Sequence, residues 1–184
     1  MPVYKKCIPD AYVASIFKID YDRLKKQGVK TLFFDLDNTI IGYDEEILSQ
    51  TQVDFLKALK KDFKIVIVSN TSQSRVSTAI KALDVPFVYH AKKPLKGGFK
   101  KALKLAEGKK EETVLIGDQL MTDIFGAHRF GIQGILVQSV KRKSDRKVTQ
   151  FNRKLEKIML KKIKKFEPKL YEERLLSYER DHEM

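Results

Sequence analysis

The sequence predicts an α/β protein: a Rossmann-like central parallel sheet of about five strands flanked by helices. Short apolar runs such as Ile65-Val66-Ile67-Val68 are uninterrupted, as expected of strands buried on both faces of a parallel sheet. Stretches with helical spacing of apolar residues lie between these runs, and strands alternating with helices imply right-handed crossovers. Several of the runs end in polar residues, among them Asp35, Ser69 and Asp118. The carboxyl ends of such strands are where α/β proteins handle ligands.

Taken in order, residues 10–26 space Val13, Ile16, Phe17, Tyr21 and Leu24 at roughly helical intervals. A helix capped by Asp10 and packed on the domain edge is therefore expected there, and Gly28 ends it. Lys30 to Phe34 is the first strand, and Asp35 and Asp37 follow it at once. Ile40 to Asp44 suits a tight turn and a small flap. Ser49 is placed to cap a helix over 49–61, with Val53, Leu56 and Leu59 on one face. Ile65–Val68 is the second strand, ending in Ser69-Asn70. Ser72 caps a further helix through Val76, Ile80 and Leu83. Val85–Tyr89 is the third strand, and Pro86 suits its first position or a sheet edge. A helix over 99–106, a strand at Thr113–Ile116 and a helix capped by Thr122 or Asp123 follow. Gly131 closes that last helix, and Gly134–Val137 is the fifth strand.

The chain of 184 residues is long enough to bury a core without disulfides. Cys7 is the single cysteine, which excludes a disulfide framework and a cysteine-rich zinc site. The start lacks the apolar stretch of a signal peptide, and no apolar run reaches the roughly 18 residues of a membrane span. A cytoplasmic protein is expected. The net charge of +13 is uneven, with 12 basic and 2 acidic residues in 141–165. Val148, Phe151, Leu155, Ile158, Met159, Ile163 and Phe166 give this segment a helical apolar stripe between lysines. The chain thus divides into a domain over 1–140 and a basic amphipathic helical tail over 141–184. The tail either docks its stripe on the domain or contacts an anionic partner, which makes peripheral attachment at the inner face of the membrane an alternative location.

Asp35 and Asp37, two residues apart at a strand end, can point at one small volume. Two like charges buried together are unfavourable unless a positive group lies between them. A divalent cation with a phosphate ester meets that demand, although Asp-x-Asp also serves turns. Three more strand ends add Ser69-Asn70, Lys93 and Gly117-Asp118 with Asp123. The set suits phosphoryl transfer. Asp35 is the nucleophile, and Asp37 is the acid and then the base. Asp35, Asp118 and a backbone carbonyl near Asp37 are ligands for the cation. Ser69 and Lys93 receive the phosphoryl oxygens, and Asp123 orients Lys93 or a metal-bound water. His90, His128 and His182 show no metal spacing, and Arg75 and Lys96 are candidates to flank the site, with no assigned role.

These residues resemble the four motifs of the haloacid dehalogenase superfamily of aspartate-nucleophile phosphatases. Asp35-Leu36-Asp37-Asn38-Thr39 is similar to the first, Val68-Ser69-Asn70 to the second, Lys93 to the third and Gly117–Asp123 to the fourth. The resemblance covers about residues 30–138 and is narrowest to class IIIA of the YqeG type, itself similar to mitochondrial phosphatidylglycerophosphate phosphatases. It implies Mg²⁺ held near Asp35, Asp37 and Asp118, hydrolysis through an aspartyl-phosphate, phosphate contacts from Ser69, Asn70 and Lys93, and support from Thr39 and Asp123. Asp37 sets the chain apart from the ion-pumping ATPases and dehalogenases, which lack the second Asp.

The spacings 40–64 and 72–90 leave no room for a cap domain. An uncapped site favours a substrate whose bulk lies outside it. Phosphatidylglycerophosphate is the favoured substrate. A soluble sugar or nucleotide phosphate is one alternative, and an RNA- or ribosome-associated protein with a secondary phosphatase site is another.

Overall fold

The computed structural model describes residues 2–140 and 147–181, apart from the side chains of 147–153. The basic residues of 141–146, the side chains of Val148 and Phe151, and His182 lie outside the described residues.

Six strands form one parallel sheet: β1 (Ala11–Val13), β2 (Thr31–Phe34), β3 (Lys64–Val68), β4 (Phe87–Val88), β5 (Thr113–Gly117) and β6 (Gln133–Val137), in the order β1-β6-β5-β2-β3-β4. Successive residues of β2, β3 and β5 serve opposite faces of the sheet. Leu32, Phe34, Ile65, Ile67, Val114 and Ile116 enter one core with α2 (Gln50–Leu59) and α3 (Gln73–Ala79). Phe33, Val66, Val68 and Leu115 enter the other with α4 (Lys96–Leu105) and α5 (Phe125–Phe130). Burial on both faces explains why these strands read as unbroken apolar runs. Short helices and loops join the strands, and among the described residues no cap domain is inserted.

The sixth strand corrects the sequence reading. Residues 11–13 pair with Ile135–Val137 instead of opening a helix. Ala11 and Val13 pack into one core, while Tyr12 faces the opposite side against Tyr178. Three residues are too few for this alternation to stand out from the apparent helical spacing. Asp10 caps nothing. It anchors the edge strand to its neighbour, accepting the Gly134 N–H at 2.8 Å and pairing with His128 at 3.0 Å. The α-helix here is α1 (Tyr21–Lys26), preceded by a 3-10 turn at Ile16–Lys18 and capped by Asp20, which accepts from Arg23 N at 2.9 Å.

Ser49 and Ser72 cap α2 and α3 as expected, Ser49 within a capping box. Pro86 immediately precedes β4, an edge strand. Helix α4 begins at Lys96, three residues before the expected Phe99, and Gly98 in its first turn permits close packing. A methyl group at Gly98 would lie 2.5 Å from the Ala91 carbonyl oxygen. After β5 a π-helical turn (Leu120–Ile124) precedes α5, so neither Thr122 nor Asp123 is a helix cap. Gly131, with φ of 94°, ends α5 in the left-handed conformation.

Among the described residues three further helices follow: α6 (Lys147–Phe166), α7 (Pro168–Arg174) and α8 (Leu176–Asp181). Leu160, Ile163, Tyr171, Leu175 and Tyr178 bury themselves against Cys7, Ile8, Leu120, Ile124 and Leu136. Lys154, Lys157, Lys161, Lys162, Lys164 and Lys165 face solvent. Among the described residues no helix is long and apolar enough to cross a membrane.

Candidate active site

Strands β2 and β5 are adjacent at the centre of the sheet. From β2 the chain moves outward through β3 and β4, then returns to the other side at β5. The carboxyl ends of β2 and β5 therefore flank a topological switch point, where α/β sheets open a crevice. Asp35 follows β2 and Asp118 follows β5, each one residue beyond its strand.

Three carboxylates gather in this crevice. One oxygen each from Asp35, Asp118 and Asp123 lie within 4.8 Å of one another, and all three residues are buried. Lys93 reaches in from the loop after β4. Its Nζ is 2.7 Å from Asp35 Oδ1 and 2.6 Å from Asp123 Oδ1. These contacts have ion-pair distances but poor hydrogen-bond angles, so Lys93 Nζ and Asp123 Oδ1 have no aligned hydrogen-bond partner. Coulomb attraction depends on separation, so the pairs stand. Three acids against one ammonium leave the buried cluster short of positive charge.

The proton affinities record that shortage. Burial pushes Asp35 up to about 7; Lys93 opposes the rise, and Asp123 adds to it. Burial, then the Asp35 and Asp123 carboxylates, hold Asp118 well above the ordinary range. For Lys93, burial favours the neutral amine, but Asp123 and Asp35 outweigh it and raise the ammonium above its usual value.

Neighbouring side chains fix the cluster. Asp118 accepts from Thr39 Oγ1 at 3.2 Å and from Ser139 Oγ at 2.7 Å. Asn70 clamps the Lys93 main chain from both ends of its amide: Nδ2 donates to Lys93 O at 3.1 Å and Oδ1 accepts from Lys93 N at 2.7 Å. Ser69 is buried, and its Oγ accepts the Thr71 N–H at 3.2 Å. Asp123 Oδ2 accepts the Gln119 N–H at 3.0 Å. On the far side of the loop Glu156 of α6 accepts from Leu120 N at 3.1 Å and from Tyr178 Oη at 2.6 Å.

The Asp37 carboxylate is not among the three gathered acids. It turns to Arg75 of α3, which donates to Asp37 Oδ1 from Nε at 3.1 Å and from Nη2 at 3.0 Å. Arg75 read from sequence only as a residue that flanks the site, without a partner, and Ser139 had no role. Ser139 lies two residues beyond β6, the one central strand end left unread. His90 adopts a φ of 43° and donates its N–H to Thr71 O. His128 bridges Lys6 and Asp10, residues at the amino-terminal approach to the edge strand.

A model of the haloacid dehalogenase-like hydrolases matches residues 8–131. The chain is 38% identical over 159 residues to the "Probable phosphatase YqeG" of Bacillus subtilis (strain 168), covering 86% of this chain and 92% of that protein. A haloacid dehalogenase family enzyme of Bacteroides thetaiotaomicron, solved as a magnesium complex, is 15% identical with a TM-score of 0.51 over 64% of this chain and 97% of that one. Its complex with magnesium and inorganic phosphate gives 14% identity and a TM-score of 0.50, over 64% of this chain and 98% of that one. The structural likeness speaks to the fold alone. With the family match, the 38% identity and the buried acids at the switch point, the chain belongs to the haloacid dehalogenase-like hydrolase family, as an enzyme of phosphatase type.

Proposed function

We propose that the protein is a Mg²⁺-dependent phosphomonoester hydrolase that works through an aspartyl-phosphate on Asp35. The observation that carries this reading is the buried cluster of Asp35, Asp118 and Asp123 around Lys93. Its donors are all oxygens, the ligand type that Mg²⁺ prefers, and its charge calls for a further cation. Asp35 and Asp118, with the main chain near Asp37, are the proposed ligands. The bound ion would supply Lewis-acid stabilisation of charge on the phosphoryl oxygens.

The protein groups divide the remaining work. Asp35 attacks phosphorus. Asp37 gives a proton to the leaving alkoxide and later takes one from the attacking water. Ser69 and Lys93 receive the phosphoryl oxygens, Asn70 holds the Lys93 loop, and Thr39 steadies Asp118. Asp123 orients Lys93, and its contact of 2.6 Å supports that role.

Within the family we assign the chain to class IIIA, on the side of the phosphatidylglycerophosphate phosphatases, with that lipid as substrate. Three features support this. The site is uncapped. Exposed Ile47, Tyr89, Leu95 and Val140 lie on loops at the same sheet edge. The exposed lysines of α6, with the basic residues of 141–146, suit an anionic surface, where each basic residue contributes roughly 1 kcal/mol. In this reading residues 1–140 are the catalytic domain, residues 141–184 are the basic appendage, and the protein works from the cytoplasm at the membrane face.

The test compares phosphate release from phosphatidylglycerophosphate in mixed micelles with release from soluble sugar and nucleotide phosphates, both with Mg²⁺. A higher kcat/KM for the lipid supports the assignment. Efficient hydrolysis of soluble esters with no release from the lipid moves the substrate to the soluble class.

A further inference from the structure

Arg75 spends every N–H it has on one junction. Nε and one N–H of Nη2 go to Asp37 Oδ1 at 3.1 and 3.0 Å. The other N–H of Nη2 goes to Gly42 O at 3.2 Å, and Nη1 serves Glu46 O at 3.2 Å and Glu45 O. Its guanidinium also lies 6.0 Å from the Tyr43 ring centroid. Five donors in a planar fork match this set, and an ammonium on a flexible stem cannot. The Arg75 and Asp37 side chains are each 17% exposed, so the pair is largely withdrawn from solvent.

Both bonds to the carboxylate land on the same oxygen. Asp37 Oδ1 is held, and Oδ2 is the oxygen left for proton transfer. The same guanidinium fixes the carbonyls of the flap that follows Asp37 in the chain.

We propose that Arg75 is a positioning residue for proton transfer: it anchors Asp37 by Oδ1, presents Oδ2 to the leaving group and the attacking water, and ties this geometry to the flap at Gly42, Glu45 and Glu46. The inference rests on the reading of Asp37 as acid and base. In the first half-reaction an Asp35 oxygen bonds to phosphorus, the bond from phosphorus to the ester oxygen breaks, and the proton on Oδ2 passes to that oxygen. In the second, water oxygen bonds to phosphorus, its proton passes to Oδ2, and the bond to Asp35 breaks. Oδ1 takes no proton in either step.

The leaving group provides the test. An alkoxide needs the proton and a nitrophenolate does not, so kcat/KM for glycerol phosphate and p-nitrophenyl phosphate respond differently to a misplaced acid. The two are measured with Mg²⁺ on the same preparations of wild type, Arg75→Lys, Arg75→Ala and Asp37→Asn. The ratio of the two constants is independent of the fraction folded. Arg75→Lys and Arg75→Ala are expected to lose about tenfold or more on the alkyl ester beyond any loss on the aryl ester, part of the range of general acid catalysis. Asp37→Asn should show the same selectivity. Equal losses on both esters in the Arg75 variants, with Asp37→Asn still selective, overturn the role of Arg75 alone. Hydrolysis of neither ester by wild type, or an Asp37→Asn loss without selectivity, overturns the underlying reading and this proposal with it.

Discussion

The Asp123 carboxyl rests directly on the α-carbon of Gly117. A methyl group at position 117 would lie 2.5 Å from Asp123 Cγ and 2.6 Å from its Oδ2. The glycine at the end of β5 is thus a steric requirement for placing a carboxylate beside Lys93. Gly117→Ala should displace Asp123 and with it the Lys93 ammonium. The overpacking should cost about 1–3 kcal/mol and lower phosphate release well beyond the loss of folded protein. Denaturation midpoints and kcat on the same sample check this. An alanine variant with unaltered stability and rate would show that the contact constrains nothing.

The raised proton affinities of Asp35 and Asp118 predict how metal and pH interact. Asp35 titrates near 7 in the fold, against about 3.9 in an unfolded chain. Between those values the folded, metal-free protein holds protons that the unfolded chain has released. Stability from this group therefore falls as pH rises through that window. Magnesium requires ionised carboxylates, so its stabilising effect should grow with pH. The Tm in EDTA and in Mg²⁺, compared from about pH 5 to about pH 8, reads this directly. A magnesium-induced rise in Tm that shrinks towards high pH contradicts it.

The helices after residue 147 are expected to support the catalytic loop through Glu156. Its Oε1 accepts both the Leu120 N–H and the Tyr178 hydroxyl, and the residue is buried. Glu156→Ala would strand the Leu120 N–H at the turn that carries Asp123, at about 1–3 kcal/mol. Glu156→Gln keeps an accepting oxygen and should cost less. Chemical denaturation of the three proteins orders them, and an alanine variant as stable as wild type would remove the support role.

Much of this was legible before the structure because burial and chemistry leave short-range marks. The runs at Thr31–Phe34, Ile65–Val68 and Thr113–Ile116 are apolar because both faces are covered, and they lead to Asp35, Ser69 and, past Gly117, Asp118 at the crevice. Ser49 and Ser72 announce their helices by local capping. Long-range pairings leave no such mark. Nothing near Ala11–Val13 reveals that these residues join Ile135–Val137 across more than a hundred residues of chain. Arg75 is one arginine among many basic residues, and only the folded flap brings Gly42, Glu45 and Glu46 to it. Asp123 read both as a cap candidate and as a partner of Lys93; the π-helical turn Leu120–Ile124 removes the first role, and the carboxylate lies 2.6 Å from Lys93 Nζ.

In the proposed reaction Asp35 carries the phosphoryl group. Enzyme turning over with Mg²⁺ and a phosphate ester can be quenched in acid, reduced with borohydride and mapped by peptide mass spectrometry. Reduction converts an aspartyl-phosphate to homoserine. With p-nitrophenyl phosphate, whose leaving group needs no proton, homoserine is expected at position 35 in wild type, more of it in Asp37→Asn, where only release is slowed, and neither label nor turnover in Asp35→Asn. Undiminished phosphate release by Asp35→Asn would contradict it.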